Sequence, residues 1–370
     1  RNSFLAIVLY NFVFFAIVFL CYWRLGLGRQ NFLLLVASYV FYAWWDWRFL
    51  GLLLASSLLD FFLGRLIDLE TNQISRRLYL LFVIAGHLTV LFFFKYYDFF
   101  TESFSDLFSV LGISSNPATI KIILPVGISF YTFQSMSYSL DVFLGRFKST
   151  TNLLGFLTYV SFFPLLLAGP IERATNLLTQ FNQRRFFAIS NAVDGVRQIT
   201  WGLFKKVVIA DNLAVVVNSV YGNVAGAAGG DLLVATAFFA FQLYCDFSGY
   251  SDMAIGSSKL LGFKLLSNFN YPYFSRSISE FWRKWHISLS TWIRDYVYYP
   301  IAFLSPGSSR VKIYVATVIS FILVGLWHGA GWNFVFMGVI FSFYLVIELL
   351  IGDVWIRSHR SRKNTPGSGN

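Results

Sequence analysis

Long runs of apolar residues, separated only by short polar stretches, constrain the fold of this chain more than any other feature of its sequence. The first run, residues 3–23, is long enough to cross a bilayer whose hydrocarbon core is about 30 Å thick. It is too long for the core of a signal peptide and lacks a small-residue cleavage site, so we interpret it as a retained first span. The chain is therefore predicted to be an all-α, polytopic membrane protein. Further candidate spans lie at 31–45, 49–67, 78–96, 121–144, 153–169, 196–220, 232–247, 313–328 and 332–351.

The composition of the chain supports the membrane class. Of the 370 residues, 56% are hydrophobic and 13% are charged, and the mean hydropathy is +0.61. A soluble domain carries about 25% charged residues, so soluble globular and disordered proteins are excluded. The net charge of +11 is typical of basic cytoplasmic loops facing anionic lipids. Because no basic run has the spacing of a nucleic-acid-binding module, we expect membrane lipids and no nucleic acid as partners.

Arginines in the first loops predict the orientation of the chain. The 24–30 and 65–77 loops carry two and three arginines, whereas the turn between the second and third spans carries one, beside an aspartate. Because positive residues favour cytoplasmic loops, the N-terminus is expected outside the cytoplasm. We expect one transmembrane domain over residues 1–356, followed by a basic, polar and mobile tail over 357–370.

Two segments differ from plain membrane spans. Segment 153–169 contains a proline and runs into a Gly-Pro pair, which predicts a broken or re-entrant segment. Segment 277–299 is amphipathic, with its tryptophans on one face and most of its charged residues on the other. An S-x-x-E capping box formed by Ser277 and Glu280 starts this helix, and Pro300 is expected to end it. Such a helix lies in the membrane interface.

Two histidines near the end of the chain are candidates for chemistry. His328 ends an apolar run and is followed at once by Gly-Ala-Gly, so small residues would let a substrate or a backbone approach it closely. An imidazole has an ordinary pKa of about 6.5 and can therefore take or give a proton at cellular pH. The alternative, that His328 caps its own helix, stays open. His286 lies at the border between the two faces of the amphipathic segment.

Other ionisable residues in apolar segments have structural interpretations as well. His87 lies in the middle of a predicted span, where a hydrogen bond to a neighbouring helix is favoured over a functional role. Asp246 and Asp252 adjoin apolar runs, where a carboxylate costs about 2.5–3.5 kcal/mol unless it is paired or hydrated. They are expected to face a polar cavity, a cation or a helix N-terminus, and structural pairing with an arginine stays open beside a role in chemistry. The sequence has no P-loop, HExxH, CxxC or GxSxG motif and no metal-ligand spacing, so we expect no metal site.

Five stretches of the chain resemble the membrane-bound O-acyltransferase family (MBOAT), in particular its bacterial alginate O-acetyltransferase type. The most specific feature is a Trp-His-x-Ser-Leu-Ser block followed some forty residues later by Leu-Trp-His-Gly. The five stretches occur in the family's order and are LPVGISFYTFQSMSYSLDVFLG (124–145), AGPIERATNLLTQF (168–181), QLYCDFSGYSDMAIGSSKLLGF (242–263), NFNYPYFSRSISEFWRKWHISLSTWIRDYVYYP (268–300) and LWHGAGWNFVFMG (326–338).

The resemblance implies an MBOAT-type bowl of about ten or more helices around a central tunnel, with interfacial and re-entrant helices. The sequence departs from the family pattern in two places. It ends soon after residue 351, where relatives usually continue through further helices, and YYPIAFLSPGSS stands in place of a glycine-rich turn.

Residue by residue, the family's essential histidine falls on His328, and its second position, usually polar or histidine, falls on His286. The basic residues near the amphipathic segment would hold the phosphates of an acyl carrier such as acetyl-CoA, or else reach anionic lipid. The residues expected to contact substrate are Trp327, Trp285, Asn270, Arg283, Lys284, Arg276, Arg294, Asp246 and Asp252.

An acyl thioester is already activated, so its transfer needs neither ATP nor a metal. It needs a base or nucleophile, stabilisation of the oxyanion and exclusion of water. His328 would act either as a general base or as a nucleophile that forms an acyl-imidazole, and the sequence does not distinguish these roles.

The resemblance implies an O-acetyltransferase in the bacterial inner membrane that uses acetyl-CoA as donor and has no permanently bound cofactor. It would pass acetyl groups to an extracytoplasmic, SGNH-like partner for O-acetylation of an alginate-like exopolysaccharide. One alternative is transfer of a D-alanyl or other acyl group to a cell-wall polymer. The other is a non-enzymatic transporter that uses the intramembrane residues Asp60, His87, Asp141 and Asp246.

Overall fold

The computed structural model describes residues 2–112, 122–166, 169–303 and 309–363, and within these ranges the chain is helical and contains no strand. The all-α prediction is therefore confirmed for the described residues. The helices are α1 (Asn2–Tyr22), α2 (Leu27–Asp46), α3 (Arg48–Leu69), α4 (Gln73–Leu91), α5 (Tyr97–Val110), α6 (Ile128–Phe143), α7 (Leu153–Ser161), α8 (Thr179–Phe181), α9 (Ile189–Leu203), α10 (Asp211–Tyr221), α11 (Gly229–Leu260), α12 (Ile278–Lys284), α13 (Ile287–Ile293), α14 (Tyr299–Phe303), α15 (Arg310–His328) and α16 (Trp332–Lys363). Wider π-helical turns lie at Phe92–Tyr96, Ala174–Leu178, Phe204–Ala210 and Arg294–Tyr298, and 3₁₀ turns at Val224–Gly226 and Pro272–Phe274.

The part of the chain that the structure describes contains five stretches with the length and hydropathy of a membrane span, against ten spans predicted; most of the first predicted span, 3–23, lies outside the residues whose side chains are described. The span predicted at 78–96 is longer than expected, because α4, a π-helical turn and α5 form one stretch that ends at Val110. The span predicted at 232–247 likewise belongs to the 32-residue helix α11. Among the described residues, the stretches long and apolar enough to cross a membrane are Arg48–Leu69, Gln73–Val110, Gly229–Leu260, Arg310–His328 and Trp332–Gly352, with a shorter apolar helix at Phe12–Tyr22.

The proline-containing segment 153–169 is interrupted, as predicted. Its helix α7 has nine residues and ends at Ser161, ahead of Pro164. Nine helical residues rise only about 14 Å, which is too short to cross a bilayer.

Helix α16 continues through residues 357–363, the first half of the predicted polar tail, and the mobility of the tail stays a prediction. Arginine and lysine are good helix formers, so the polar sequence does not stop a helix that is already propagating. Residues 364–370 lie outside the described residues.

The amphipathic segment 277–299 is not the single helix that its periodicity predicts. The capping box is confirmed, since Ser277 Oγ accepts a hydrogen bond from the Glu280 N–H at 3.1 Å. Helix α12 then ends after seven residues, and the backbone of His286 turns left-handed, with φ 43°, before α13 begins. Pro300 lies inside α14 rather than ending a helix. Periodicity could not reveal the break, because the same apolar face continues on both sides of it.

The chain divides into two compact units. The first comprises Arg1–Leu91 and Leu124–Asn268 and contains α1–α4 and α6–α11. The second comprises Phe92–Ile123 and Phe269–Asn370 and contains α5 and α12–α16. Both candidate histidines therefore belong to the second unit.

In the first unit, glycines bring α9 and α11 into direct backbone contact. A Cβ at Gly195 would lie 2.7 Å from the Gly256 carbonyl oxygen, and one at Gly202 would lie 2.6 Å from the Gly249 carbonyl oxygen. Real side chains do not approach a carbonyl this closely. The small-residue spacing along both helices therefore sets how near they pack, as is common between membrane helices.

A buried carboxyl group fixes a loop of the first unit. Glu172 is fully buried and accepts hydrogen bonds from the Leu266 N–H at 2.6 Å and from Asn176 Nδ2 at 2.7 Å. Burial disfavours the charged carboxylate and raises the pKa of Glu172 to about 7, although these hydrogen bonds and the nearby Arg173 act in the opposite direction.

This raised pKa predicts a pH-dependent stability. Between the ordinary pKa of 4.5 and about 7, the folded protein keeps a proton on Glu172 that the unfolded chain releases. The free energy of unfolding should therefore fall as the pH rises through this window, by at most about 1.4 kcal/mol per pH unit. Thermal unfolding of the wild type and Glu172→Gln in detergent at pH 5 to 8 tests this. A difference between the two proteins that does not change with pH would contradict it.

In the second unit, α15 and α16 form a tightly packed hairpin. A Cβ at Gly325 would lie 2.1 Å from the Phe334 carbonyl oxygen, and one at Gly338 would lie 2.3 Å from the Phe321 carbonyl oxygen. The interfacial helix α12 packs on this hairpin, because Trp282 contacts the ring of Phe321 at 5.0 Å edge-on. The hairpin and the interfacial helices together carry the candidate site.

Candidate functional site

His328 is the last residue of α15 and its side chain is exposed. Its Nδ1 lies 2.7 Å from the carbonyl oxygen of Val324, one turn earlier in the same helix. A carbonyl can only accept a hydrogen bond, so Nδ1 carries the proton in the neutral ring and Nε2 carries the lone pair. The capping alternative and the catalytic one are thus compatible, because the cap uses one nitrogen and leaves the other basic.

His286 lies beside His328, with ring centroids 6.5 Å apart and the planes at 73°. It was predicted at the border of an amphipathic helix, but it is fully buried, because the left-handed turn between α12 and α13 directs it inward. Burial lowers the pKa of His286 well below its usual value, and the nearby His328 lowers it further. A left-handed backbone is uncommon for a residue with a Cβ, and such strain is often found at functional sites.

Three further predicted residues support this pair in different ways. The Trp327 indole lies 5.2 Å from the His286 ring and 5.0 Å from the His328 ring, so it contacts both. Trp285 is buried and packs edge-on against Phe269 at 5.1 Å. Asn270 is exposed, and its backbone N–H donates to the Lys284 carbonyl at 3.0 Å, which closes the end of α12. Trp285 and Asn270 therefore shape the chain just ahead of His286.

The predicted basic residues separate into two groups. Lys284 forms an ion pair with Glu280 at 2.7 Å, and Arg276 donates its backbone N–H to the same carboxylate at 2.8 Å. The hydrogen bond from Lys284 and then that from Arg276 lower the pKa of Glu280. Arg283 and Arg294 instead line a cavity, although Arg294 also contacts Asp295.

That cavity, of about 470 Å³, lies between the interfacial helices and the α15–α16 hairpin, and we call it the arginine cavity. Its lining is mostly apolar, with hydroxyl groups between the apolar side chains. It reaches Val324, whose carbonyl oxygen holds the His328 ring, and Ile287, the neighbour of His286. The cavity thus ends within one helical turn of both histidines. Its lining residues are Ser279, Trp282, Arg283, Ile287, Ser290, Thr291, Ile293, Arg294, Tyr298, Thr317, Ser320, Phe321, Val324, Leu345 and Leu349.

Two residues that the sequence analysis did not identify contact the end of α15. Lys95 Nζ donates to the Trp327 carbonyl, and Tyr96 Oη donates to the Leu326 carbonyl at 2.7 Å. Lys95 also borders a second cavity of about 370 Å³, which we call the acidic cavity. The sequence feature that could have identified Lys95 is its position as a single lysine in the apolar run LFFFKYY. An ionisable residue inside a membrane segment is a candidate functional residue, whether it is a lysine or a histidine. The acidic cavity is lined by Lys95, Asp98, Phe99, Glu102, Ser103, Asp106, Ala330, Gly331 and Trp332.

Asp246 and Asp252, expected among the substrate-binding residues, belong to α11 of the first unit. Lys206 Nζ bonds Asp246 Oδ1 at 2.5 Å, and Lys205 Nζ bonds Asp252 Oδ2 at 2.5 Å. Gln198 Nε2 donates to the other oxygen of Asp252 at 2.8 Å. Of the two alternatives, these contacts favour charge pairing, with lysine rather than arginine as the partner.

His87 has a structural partner in the first unit. Its Nε2 lies 2.6 Å from Asp60 Oδ2, while Ser139 Oγ donates to Asp60 Oδ1 at 2.5 Å. All three residues are buried. The serine contacts the carboxylate rather than the imidazole, so this is not the order of a nucleophilic triad. The predicted hydrogen bond from His87 to a neighbouring helix is confirmed.

Potential metal ligands are scattered over the residues whose side chains the structure describes, which are 12–112, 122–166, 169–303 and 309–352. No group of three or more His, Cys, Asp or Glu side chains converges in these ranges.

Comparison with known proteins gives a consistent result. The family model described as MBOAT, membrane-bound O-acyltransferase family, matches residues 41–367. A protein named "probable alginate O-acetylase" from Azotobacter vinelandii is 42% identical over 86% of this chain and 63% of its own length. The "peptidoglycan O-acetyltransferase" of Helicobacter pylori is 33% identical over 96% of this chain and 71% of its own length. The "teichoic acid D-alanyltransferase" of Streptococcus thermophilus is 28% identical over 79% of this chain and 75% of its own length. The chain thus spans less than two-thirds of the first of these relatives.

Proposed function

Because the chain belongs to the membrane-bound O-acyltransferase family, we propose that it is a multi-pass membrane O-acetyltransferase whose reacting group is His328. It takes acetyl groups from acetyl-CoA on the cytoplasmic side of the bacterial inner membrane. It passes them to an extracytoplasmic, SGNH-like partner, which completes O-acetylation of an alginate-like exopolysaccharide. The N-terminus is extracytoplasmic in this arrangement.

The observation that carries this proposal is the state of the His328 ring. Its Nδ1 is held by the Val324 carbonyl, so the basic Nε2 is the nitrogen available for reaction. The ring is exposed at the α15–α16 turn, while its neighbour His286 is fully buried. Acyl transfer from a thioester requires a basic or nucleophilic nitrogen and a site from which water is excluded. His328 Nε2 provides the nitrogen, and the buried His286 ring lies on the side from which water is excluded.

Two routes use this geometry. In the first, Nε2 takes the proton of an acceptor hydroxyl while the hydroxyl oxygen attacks the thioester carbonyl; the C–S bond breaks, and the thiolate receives the proton from the imidazolium. In the second, Nε2 itself attacks the carbonyl carbon and the C–S bond breaks, so that the thiolate leaves and an acetyl-imidazolium remains on His328. The acceptor hydroxyl oxygen then attacks the acetyl carbon, the bond from Nε2 to that carbon breaks, and the hydroxyl proton passes to the released thiolate, which regenerates the imidazole.

His286 supports either route as a neutral group. Because its pKa is lowered by burial and by His328, the ring stays uncharged at cellular pH. A neutral imidazole retains one N–H, which can donate to the thioester carbonyl as negative charge develops on its oxygen. Trp327 contacts both imidazole rings and fixes their relative position.

The arginine cavity is the proposed donor site. Its apolar lining suits the extended arm of CoA, and its lining includes Val324, one helical turn before His328. Arg283 and Arg294 line the same cavity and supply guanidinium groups for the phosphates of the donor. Lys284 and Arg276 contact Glu280 instead, so a smaller contribution is expected from them.

Replacing Arg283 with glutamine tests this assignment. The phosphates are bound equally in the ground state and in the transition state, so the KM for acetyl-CoA should rise about tenfold while kcat stays unchanged. CoA release from acetyl-CoA by membranes that contain the variant measures both constants. The control is Arg197→Gln, an equivalent change at an exposed arginine of the first unit. A kcat decrease at constant KM would contradict the donor-site assignment.

The proposed function itself is tested with competing donors. Purified protein is given acetyl-CoA or a carrier-protein D-alanyl thioester, and mass spectrometry identifies the acyl group on the product. We expect consumption of acetyl-CoA and an acetyl ester. Use of the D-alanyl thioester alone would favour the second candidate, for which the named D-alanyltransferase relative is the support.

A transporter is less well supported. Its candidate path residues are engaged with partners in the first unit, which is typical of structural pairs. Asp60 contacts His87 and Ser139, Asp141 lies 3.8 Å from Arg146, and Asp246 pairs with Lys206. Transport of a solute without thioester consumption would restore this alternative.

A further inference from the structure

A lysine in an apolar segment contacts the helix end that carries His328. Lys95 belongs to the π-helical turn Phe92–Tyr96, between α4 and α5. A lysine near the centre of a membrane helix costs about 2.5–3.5 kcal/mol on insertion scales, so its retention needs a reason. π-Helical turns are themselves frequent at functional sites.

The contacts of this turn are directed at the last carbonyl groups of α15. Lys95 Nζ donates to the carbonyl of Trp327, the residue directly before His328, and Tyr96 Oη donates to the carbonyl of Leu326 at 2.7 Å. The final carbonyls of a helix have no partner within the helix. Two side chains from one turn therefore fix the backbone on which the reactive imidazole is mounted.

A neutral hydrogen-bond donor such as Tyr96 is sufficient to cap the last carbonyl groups of α15. The positive charge of Lys95 therefore points to a second effect. The C-terminal end of a helix carries roughly half a negative charge. An oxyanion that forms beside His328 would be repelled by this end of α15. A cation bonded to the Trp327 carbonyl offsets that repulsion where it is strongest.

Packing places the same ammonium close to the histidine pair. Lys95 Nζ lies 5.8 Å from the centre of the Trp327 ring, which contacts the rings of both His286 and His328. It also lies 5.6 Å from the centre of the Tyr96 ring. Lys95 and the small-residue turn Ala330–Gly331 border the acidic cavity, so small solutes can reach its surroundings.

We propose that Lys95 is a positioning residue for acyl transfer, which holds the end of α15 through the Trp327 carbonyl and neutralises that helix end beside the developing oxyanion. This inference rests on the proposed function of His328. It predicts a loss in the chemical step and not in donor binding, because the ground-state thioester carries no charge at this point.

The test compares Lys95→Met with Tyr96→Phe, each of which removes one hydrogen bond to the same helix end. We expect Lys95→Met to lower kcat for CoA release from acetyl-CoA about 100-fold with an unchanged KM. Tyr96→Phe, which removes no charge, should lower kcat less than about fivefold. Equal effects of the two variants would overturn the charge argument and leave only a cap.

Two further variants, Lys95→Arg and Lys95→Ala, test the role of the lysine charge if Lys95→Met is poorly folded. Lys95→Arg retains the charge and should keep at least about a tenth of the wild-type kcat. Lys95→Ala should be partly rescued by ethylammonium, because the truncated side chain borders the acidic cavity. Absence of both recoveries in protein with a normal unfolding temperature would overturn the proposal.

A His328→Ala variant in the same assay separates this inference from the proposed function. If His328→Ala is inactive and Lys95→Met is fully active, only the role of Lys95 fails. If His328→Ala keeps wild-type turnover, the proposed function fails first.

Discussion

Replacing His328 with glutamine is expected to lower acetyl transfer by at least about 10³-fold while the protein stays folded. The glutamine amide keeps an N–H that can donate to the Val324 carbonyl, so the last turn of α15 retains its cap. What disappears is the basic nitrogen. Because both proposed routes start at Nε2, the loss should appear in kcat for CoA release from acetyl-CoA and in the acetyl content of the polymer.

His87→Gln is the matched control for this experiment. It makes the same substitution at a histidine that is buried in the first unit, where its partner is Asp60. We expect a lower unfolding temperature and an unchanged kcat per folded molecule. Near wild-type turnover by His328→Gln would refute the assignment of His328.

The two catalytic routes can be separated once His328 is shown to matter. The nucleophilic route requires an acetylated enzyme, which acid quenching before the acceptor is added should preserve. Mass spectrometry of peptides containing residue 328 would then detect one acetyl group in the wild type and none in His328→Gln. Full activity without any acetylated peptide would favour the general-base route.

The second large effect is expected in stability, from Lys205→Met. Lys205 is buried and bonds Asp252 Oδ2 at 2.5 Å and Ser248 Oγ at 2.9 Å. Removing the lysine leaves a carboxylate between α9 and α11 without its cation. Breaking such a pair from one side costs about 3 kcal/mol or more, which thermal unfolding in detergent measures.

The double variant Lys205→Met, Asp252→Asn provides the control. It removes the orphaned charge and keeps an oxygen that can accept the hydrogen bond from Gln198. We expect recovery of most of the lost stability, because an uncompensated charge is more costly than a lost pair. A double variant no more stable than Lys205→Met would show that the lysine itself, and not the orphaned aspartate, carries the effect.

Much of the architecture could be predicted because the bilayer imposes simple requirements. Apolar length alone indicated the membrane helices, and the interruption near Pro164 followed from proline geometry. Helix ends were predicted less well. The span predicted at 78–96 is part of a longer helical stretch, which continues to Val110. Charged residues can end an apolar run without ending the helix that contains it.

The sequence could predict which residues belong to the candidate site, but it could not predict how those residues are arranged in space. His328 stood out through the small residues after it and through family motifs. The two adjacent lysines that pair with Asp246 and Asp252 lie in a π-helical turn at Phe204–Ala210, and sequence periodicity does not predict such a turn. Lys95 was passed over because its partner, the Trp327 carbonyl, lies 232 residues away along the chain.

The amino-acid sequence by itself determined the membrane class, the helical fold and the family, because these follow from composition, apolar length and short motifs. Only the tertiary structure decided that His286 is buried in a left-handed turn beside His328, and that Lys95 and Tyr96 hold the end of α15. The physical reason is that these contacts join backbone groups and side chains distant in sequence. Every residue has a backbone carbonyl and backbone dihedral angles, so the amino-acid type at a position does not indicate which contact that carbonyl makes or which conformation the backbone adopts.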